Sequence, residues 1–195
     1  MNMKRITKRV SDVFLASILL IILLPILCLG SLTVLFSMGR PIFFLHERSG
    51  QYGKPFRMVK LRTMVNDQTG KLSDSERVTR AGLLLRKFSI DELPQLLNVL
   101  GGSMSLVGPR PLLREYDSLY SAVQARRLQV KPGLTGLAQV AGRNELSWDE
   151  KLELDVQYVD RQSLWLDFKI MLSTPMVVLL ARGFQRSGEL KKFGE

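Results

Sequence analysis

Two adjacent carboxylates form the sharpest chemical feature of this sequence. Asp91 and Glu92 stand in the segment 89–95, which the basic residues Arg86 and Lys87 precede. An ionised aspartate is a competent nucleophile, and carboxylate oxygens suit Mg²⁺, whose other ligands are usually waters and substrate phosphates. In this interpretation, Asp91 and Glu92 form a phosphate-handling site that also holds a hard cation.

The same residues also fit a purely structural role. Asp91 is an acceptable N-cap, and Ser89 with Glu92 imitates a capping box at the start of an apolar helix. Pro94 suits the first turn of a helix, which favours a start after Asp91 and weakens a cap at Ser89. Spacing alone favours capping, so both interpretations stay open at this point.

A turn rich in glycine and proline follows at residues 101–111. Glycines let a backbone approach a phosphate, and Pro109 and Pro111 restrict Arg110 between them to extended conformations. An arginine held in this way can grip an anion with two hydrogen bonds, although an exposed arginine in an ordinary turn is the commoner case. The sequence has neither a P-loop nor the glycine pattern of a dinucleotide-binding site.

Two further basic segments, 60–64 and 131–144, are individually a basic strand and a double turn. The single histidine, His46, argues against a histidine-based triad or a multi-histidine metal site. Cys28 is the only cysteine, so a disulfide within the chain is impossible. Catalysis would therefore use carboxylates, cations and a hard metal ion.

The charge of the chain agrees with an anionic partner. Lys and Arg number 28 against 18 Asp and Glu, a formal net charge of +10. This charge suits nucleic acid, lipid headgroups or a phosphorylated substrate. Because the cations are spread along the chain and form no dense stripe, no nucleic-acid partner is expected. A membrane-tethered, non-enzymatic protein that binds nucleic acid or anionic lipid is the alternative function.

An apolar segment near the start has to position these residues. Residues 13–38, about 26 in all, carry no charge and are long enough to cross a bilayer as a helix. Cationic residues on both sides place both flanks in the cytoplasm by the positive-inside rule, and a bend at Pro25 would return the helix to the same face. An ordinary spanning helix with a tolerated proline is the alternative.

The elements after this segment are predicted to be short. Glycines within 46–64 predict a β-hairpin, and a polar loop is expected at 66–80. Apolar spacing predicts helices at 81–85, 93–100, 112–128 and 147–158. The final apolar segment, 164–184, is expected to be an interfacial or core helix, since its uncharged part is too short to span a membrane.

The expected fold class is therefore α+β and mainly helical. Residues 1–40 are expected to form a cationic N-terminus and a re-entrant membrane helix. Residues 41–195 are expected to form a compact cytoplasmic catalytic domain with a small β-hairpin and interfacial helices.

Taken together and in this order, the motifs resemble those of the monotopic phosphoglycosyl transferases, also called bacterial sugar transferases. The likeness covers essentially the full length and runs through residues 8–12, 56–64, 91–95, 104–111 and 132–144. Five ordered motifs after one anchor are specific, whereas each alone is weak. The segments 112–116 and 143–148 are most similar to the small members that act on UDP-N,N′-diacetylbacillosamine.

The resemblance implies a two-step reaction at the cytoplasmic face of the bacterial inner membrane. Asp91 would attack the β-phosphorus of a UDP-sugar, release UMP and carry the phosphosugar until polyprenyl (undecaprenyl) phosphate displaces it. Glu92 would be its dyad partner, and Mg²⁺ at Asp91 and Glu92 would offset the phosphate charge. The sugar, the polyprenol, the pathway and the oligomeric state are left open, a homo-oligomer included.

The resemblance also assigns four cations. Arg110 matches the family's phosphate-binding arginine, and Lys60, Arg86 and Arg143 would be further phosphate or nucleotide contacts. The sequence departs from the family at Leu24, where close relatives have serine before the proline, and at Ser103, where an acidic residue is common. The absence of an acidic residue at position 103 leaves Asp91 and Glu92 as the main metal candidates.

Overall fold

A computed structural model describes residues 3–67, 71–184 and 193 of the chain. Its longest element is the helix α1, Met3–Met38, which contains Pro25. This helix is long and apolar enough to cross a membrane, and only 11% of its most apolar stretch is buried within the protein. A core helix of a soluble protein would be mostly covered, so α1 agrees with the predicted anchor.

The N-terminal part of α1 is attached to the rest of the protein by polar side chains. Asp12 accepts hydrogen bonds from Ser105 Oγ (2.7 Å) and the amide of Leu106 (3.3 Å). The guanidinium of Arg9 donates to the carbonyl oxygens of Val99 (2.5 Å) and Leu100 (2.8 Å). One turn after Asp12, the side chain of Ala16 is fully buried in the main hydrophobic core.

The C-terminal part of α1 is attached to the same domain. Val34 is fully buried against Leu61 and Leu85. Arg62 donates to the carbonyl oxygens of Met38 (2.5 Å) and Gly39 (2.7 Å), which satisfies acceptors at the end of the helix. Between the two attachments, the middle of α1 exposes large apolar side chains: Ile21 (72%), Ile22 (63%), Leu24 (50%) and Leu29 (64%).

A β-hairpin follows the anchor, as predicted. Strands β1 (Phe43–Ser49) and β2 (Pro55–Leu61) are antiparallel and are joined by a short 3₁₀ turn at Gln51–Gly53. The turn contains Tyr52 and Gly53 in the left-handed region, with φ of 58° and 70°. In the register of the pair, Phe44 lies opposite Lys60, which fixes the face on which each side chain stands.

The remaining helices are all shorter than α1. They are α2 (Asp74–Arg77), α3 (Arg80–Lys87), α4 (Gln95–Leu100), α5 (Leu137–Ala141), α6 (Trp148–Arg161) and α7 (Leu164–Leu179). The helices predicted at 81–85, 93–100 and 147–158 are thus confirmed, and the one predicted at 164–184 ends at Leu179. The helix α7 buries Ile170 and exposes Trp165 and Leu172, so it is apolar on both its core side and its outer side.

The prediction of a helix at 112–128 is wrong. The segment instead forms two 3₁₀ turns, Arg114–Ser118 and Gln124–Gln129. Between them, Ser121 Oγ accepts from the amide of Gln124 (3.2 Å), and Gln124 Oε1 accepts from the amide of Ser121 (2.9 Å). This reciprocal pair is a capping box, which starts a new turn and interrupts a continuous helix.

A parallel pair of three-residue strands joins two glycine-rich segments that the sequence analysis left separate. Strand β3 (Ser105–Val107) lies beside β4 (Gly133–Thr135). The contact extends beyond the strands, because the amide of Gly108 donates to Thr135 O and that of Gly133 to Pro109 O, each at 2.9 Å. A Cβ at Gly108 would lie 2.4 Å from the backbone oxygen of Lys131, so only glycine permits this approach.

Candidate active site

Asp91 and Glu92 lie in a 3₁₀ turn, Ile90–Glu92, between α3 and α4. Ser89 before the turn is in the left-handed region and makes no side-chain cap, and α4 begins only at Gln95 without a side-chain cap. The capping interpretation of Asp91 is therefore wrong. The side chain of Asp91 is buried instead, since the residue is only 6% exposed.

Two cations hold the carboxylate of Glu92. Its Oε1 accepts from Lys60 Nζ (2.8 Å) and from Arg110 Nη2 (2.7 Å). Burial alone would raise the pKa of Glu92, but the attraction of Arg110 and Lys60 outweighs it and puts the pKa well below its usual range. Glu92 is thus ionised at every working pH and fixes the positions of both cations.

Asp91 has the opposite shift. Burial raises the pKa of Asp91 to about 6 and the charge of Glu92 adds to it, while Lys60, Arg86 and Arg110 act against this rise. The carboxylate is therefore ionised at neutral pH although little water solvates it. Neighbouring carboxylates with opposite shifts are typical of sites where the two have different chemical roles.

The other two predicted cations also lie near Asp91. Arg86 Nε donates to Thr63 Oγ1 (2.8 Å), and Arg143 Nη2 donates to Ser89 Oγ (2.7 Å), directly before the dyad turn. Arg143 has a positive φ of 54°. All four cations predicted from the sequence are thus brought around the dyad; their contacts with a substrate stay a prediction.

Arg48 is an active-site cation that the sequence analysis did not select. It is half-buried on β1, and burial together with the repulsion of Arg110 lowers the pKa of Arg48 to about 10. The alternation of side chains along the strand could have identified Arg48 from the sequence. Arg48 and His46 stand on the same face of the hairpin as Lys60.

A second residue missed by the sequence analysis holds the backbone of Arg110. Arg127 Nη2 donates to the carbonyl oxygen of Arg110 (2.6 Å), while its Nε and Nη2 bind Asp155 Oδ2 at 3.0 and 2.8 Å. The hydroxyl of Tyr158 donates to Val107 O (2.9 Å) just before the turn. The turn around Arg110, residues 108–111, is here called the arginine turn. Its backbone is therefore held by Arg127 and Tyr158, while the side chain of Arg110 itself stays 46% exposed.

The side chains available as metal ligands limit how a metal ion could bind. Within the described ranges, no three metal-ligating side chains converge. Mg²⁺ commonly takes one or two carboxylates and completes its shell with waters and substrate phosphates, so this set fits it. Since Lys60 and Arg110 already share Oε1 of Glu92, Asp91 is the better placed of the two carboxylates.

Comparisons with known proteins agree with this arrangement. The family model described as bacterial sugar transferase matches residues 3–181. A Bacillus subtilis protein described as the uncharacterized sugar transferase EpsL is 50% identical over 175 residues, which cover 85% of this chain and 87% of that protein. The UDP-glucose:undecaprenyl-phosphate glucose-1-phosphate transferase of Caulobacter vibrioides is 45% identical over 181 residues, covering 86% of this chain and 67% of the relative.

A third relative is longer than this chain. The protein of the same description from Escherichia coli K12 is 40% identical over 186 residues, which cover 89% of this chain but only 40% of the relative. The match with the family model includes the anchor, the hairpin, the dyad turn and the arginine turn. This chain belongs to the bacterial sugar transferase family.

Proposed function

We propose that this enzyme transfers a sugar 1-phosphate from a UDP-sugar to polyprenyl phosphate and releases UMP. The observation that carries the proposal is the dyad, in which a buried Asp91 ionises near neutral pH beside a Glu92 that two cations hold. A weakly solvated carboxylate is a nucleophile, and the surrounding cations suit a diphosphate electrophile. The relatives from Caulobacter vibrioides and Escherichia coli are described as UDP-glucose:undecaprenyl-phosphate glucose-1-phosphate transferases, which supports the same reaction.

The reaction would proceed in two displacements at phosphorus. In the first, a carboxylate oxygen of Asp91 forms a bond to the β-phosphorus, and the bond from that phosphorus to the bridging oxygen breaks with both electrons staying on UMP. In the second, an oxygen of polyprenyl phosphate attacks the same phosphorus and the carboxylate leaves. A covalent intermediate divides one difficult displacement between two anions into two easier steps.

Mg²⁺ is part of the proposal. When bound, a hard cation neutralises phosphate charge and polarises the phosphoryl oxygens. Asp91 would hold it, with Glu92 beside it and substrate oxygens completing the shell. Removal by EDTA is expected to abolish turnover, and added Mg²⁺ is expected to restore it; full activity after thorough chelation would contradict the metal assignment.

We further propose that α1 enters the membrane and returns to its cytoplasmic face. Arg9 and Asp12 near its start, and Met38 at its end, are all hydrogen-bonded to the same catalytic domain. A straight crossing would place these two ends on opposite sides of about 30 Å of hydrocarbon, where one domain cannot bind both. The positive-inside rule favours the same topology.

Labelling of intact cells tests this topology. Cysteines introduced near residue 4 and near residue 60 are both expected to be protected from a reagent that cannot cross the inner membrane. Periplasmic labelling near residue 4, with residue 60 protected, would establish a spanning helix instead.

The sugar is a separate matter. Segments 112–116 and 143–148 resemble members acting on UDP-N,N′-diacetylbacillosamine, whereas relatives matched over most of this chain are described as glucose-1-phosphate transferases. A screen of UDP-glucose, UDP-galactose, UDP-N-acetylglucosamine and UDP-N,N′-diacetylbacillosamine for UMP release decides between these donors. We retain the last as the proposed substrate, and a strong preference for UDP-glucose would contradict it.

One substitution tests the nucleophile. Asp91→Asn removes the attacking carboxylate with little change in volume, so turnover should fall by orders of magnitude while the protein stays folded. The wild type should give a phosphosugar adduct on Asp91 when UDP-sugar is supplied without acceptor, and its kinetics should be ping-pong. An active Asn variant, or intersecting kinetics without an adduct, would mean that another residue or a direct transfer carries the reaction.

A further inference from the structure

Strand β1 has two chemically different faces. Side chains alternate along a strand, so Phe44, His46 and Arg48 share one face, whereas Glu47 stands on the other with Arg114 (2.7 Å). Cross-strand partners stand on the same face, and Lys60 lies opposite Phe44. Because Lys60 reaches Glu92, the face that carries Arg48 is the face turned towards the dyad.

The end of β1 is joined to the arginine turn. The amide of Ser49 donates to Leu112 O (3.2 Å), two residues after Arg110. Ser49 and Gly50 also line one small cavity together with Pro109 and Arg110. The strand that carries Arg48 is therefore attached to the turn that carries Arg110, and the charge of Arg110 acts on the guanidinium of Arg48.

Arg48 has hydrogen-bonding capacity that its surroundings do not use. Its Nη2 contacts His46 Nδ1 at 3.0 Å, and its Nε is buried without a partner among residues 3–67, 71–184 and 193. Arg143, which is bonded to Ser89 before the dyad, likewise keeps a buried and unpartnered Nη1 among the described residues. Buried guanidiniums beside a third cation are costly in the absence of an anion, so the arrangement favours a ligand with more than one negative charge.

The position of Arg48 along the hairpin indicates which phosphate it meets. The hairpin begins at the anchor, where Leu61 packs against Val34, and Phe43 pairs with Leu61. Arg48 stands four residues beyond Phe44, roughly 13 Å along the strand from the end that adjoins Met38 at the C-terminal end of the anchor, at 3.3 Å per residue. A polyprenyl chain has to stay with the membrane, whereas a nucleotide arrives from water, so the outer end of this face suits the nucleotide half of the donor.

We propose that Arg48 binds the α-phosphate of the UDP-sugar, the phosphate that departs with UMP, while Arg110 binds the diphosphate from the other side. This assignment rests on the proposed function. In the first displacement, the electron pair of the broken bond stays on the bridging oxygen, which becomes a terminal oxygen of UMP, and no proton moves. Arg48 stabilises the negative charge that grows there, so it contributes to the first half-reaction and not to the second.

Ping-pong kinetics separate the two half-reactions, because kcat/KM for each substrate reports one of them alone. Arg48→Gln is expected to lower kcat/KM for the UDP-sugar about 10- to 100-fold, the loss typical of one hydrogen bond between charged groups. It should weaken product inhibition by UMP by a similar factor and leave kcat/KM for polyprenyl phosphate unchanged. Arg57→Gln, which removes an exposed cation on the opposite face of the same hairpin, is the matched control and is expected to leave both values unchanged.

Each other outcome overturns the proposal. If only kcat/KM for polyprenyl phosphate falls, Arg48 binds the acceptor. If kcat/KM falls equally for both substrates, the substitution has a general effect on the enzyme. If neither value falls, Arg48 does not contact a substrate. If Arg48→Gln does not fold, Arg48→Lys retains the charge but not the planar fork, and it should show a smaller loss on the donor side alone. Failure of the wild type to release UMP from any UDP-sugar would instead contradict the proposed function.

Discussion

Arg127 and Arg110 meet carboxylates in opposite ways. Arg127 and Asp155 form a closed pair, one cation to one carboxylate, with side chains only 2% and 4% exposed. At the dyad, Glu92 is shared by Lys60 and Arg110, and the side chain of Arg110 is 46% exposed. The first region is balanced and sealed, whereas the second has more cations than carboxylates and opens to solvent.

The difference separates a structural ion pair from a binding site. A sealed pair leaves no charge for a ligand to neutralise and positions the backbone to which it is bonded, here the carbonyl oxygen of Arg110. An open cluster with unused guanidinium donors keeps a positive potential that an anionic ligand can neutralise. Substitutions in the first region should therefore act on stability, and those in the second on catalysis.

The largest effect on stability is expected from Arg127→Met. Removing this guanidinium leaves Asp155 buried and unpaired, which typically costs about 3–5 kcal/mol in the free energy of unfolding. Urea denaturation of the purified protein in detergent measures it. Arg126→Met is the matched control, since its partner Asp160 is 45% exposed and such surface pairs contribute about 1 kcal/mol or less. Equal losses for the two variants would contradict the distinction between sealed and open pairs.

Glu92→Gln should lower the activity of the enzyme much more than its stability. An amide cannot hold Lys60 and Arg110 together as a carboxylate does, and misplacement of substrate-binding groups by about 1 Å can cost about 100-fold in rate. UMP release is therefore expected to fall about 100-fold, while the loss of the two ion pairs should lower the free energy of unfolding less than Arg127→Met does, because Lys60 and Arg110 stay in contact with water. A variant that loses stability but keeps its activity per folded molecule would place Glu92 with the structural pairs.

The comparison also marks what the sequence could predict. Anchor, hairpin and most helices follow from strong local signals: an uncharged run, glycines between apolar arms and helical spacing. Local signals also misled, because Ser89 and Glu92 imitate a capping box that does not form, whereas the reciprocal pair of Ser121 with Gln124 does form and was not predicted. Both segments have the same spacing, and only tertiary context separates them.

The candidate site was predicted in its residue types and not in its supports. Asp91, Glu92 and the cations around them belong to motifs that the family resemblance identifies. Arg127 reaches the arginine turn across 17 positions of sequence and Asp155 across 28, distances at which no periodicity operates. The parallel strands β3 and β4 are three residues each, which is too short for an alternating pattern to be detected.

Acid should reduce the first half-reaction through Asp91. Since burial raises the pKa of Asp91 to about 6, the nucleophile is protonated below that pH, and kcat/KM for the UDP-sugar should fall about tenfold per pH unit. A bound cation stabilises the carboxylate and moves the inflection to lower pH, so varying Mg²⁺ should shift the profile. A profile that is flat from pH 7 to 5 at low Mg²⁺ would contradict a buried aspartate nucleophile.

The smallest expected effect is that replacing the nucleophile Asp91 makes the protein more stable to unfolding. Asp91 has a raised pKa in the folded protein, about 6 against 3.8 as the ordinary value. Below pH 3.8 the carboxyl is protonated in both states, so it does not affect unfolding. Between 3.8 and about 6 the unfolded chain loses this proton first, which favours unfolding, and above 6 the full penalty of the buried charge is present. Asparagine carries no such penalty at any pH.

Asp91→Asn should therefore be more stable than the wild type at pH 7.5 without Mg²⁺, on the order of 1 kcal/mol, because movement of nearby cations and water relaxes part of the penalty. The difference between the two proteins should shrink as the pH falls from 6 towards 4. Urea denaturation at several pH values measures it, with Asp155→Asn as the contrasting variant. That substitution leaves Arg127 buried without its carboxylate and should destabilise the protein at neutral pH. A less stable Asp91→Asn protein at pH 7.5 would mean that the ionised carboxylate is well paired, and a well-paired carboxylate is a poor nucleophile.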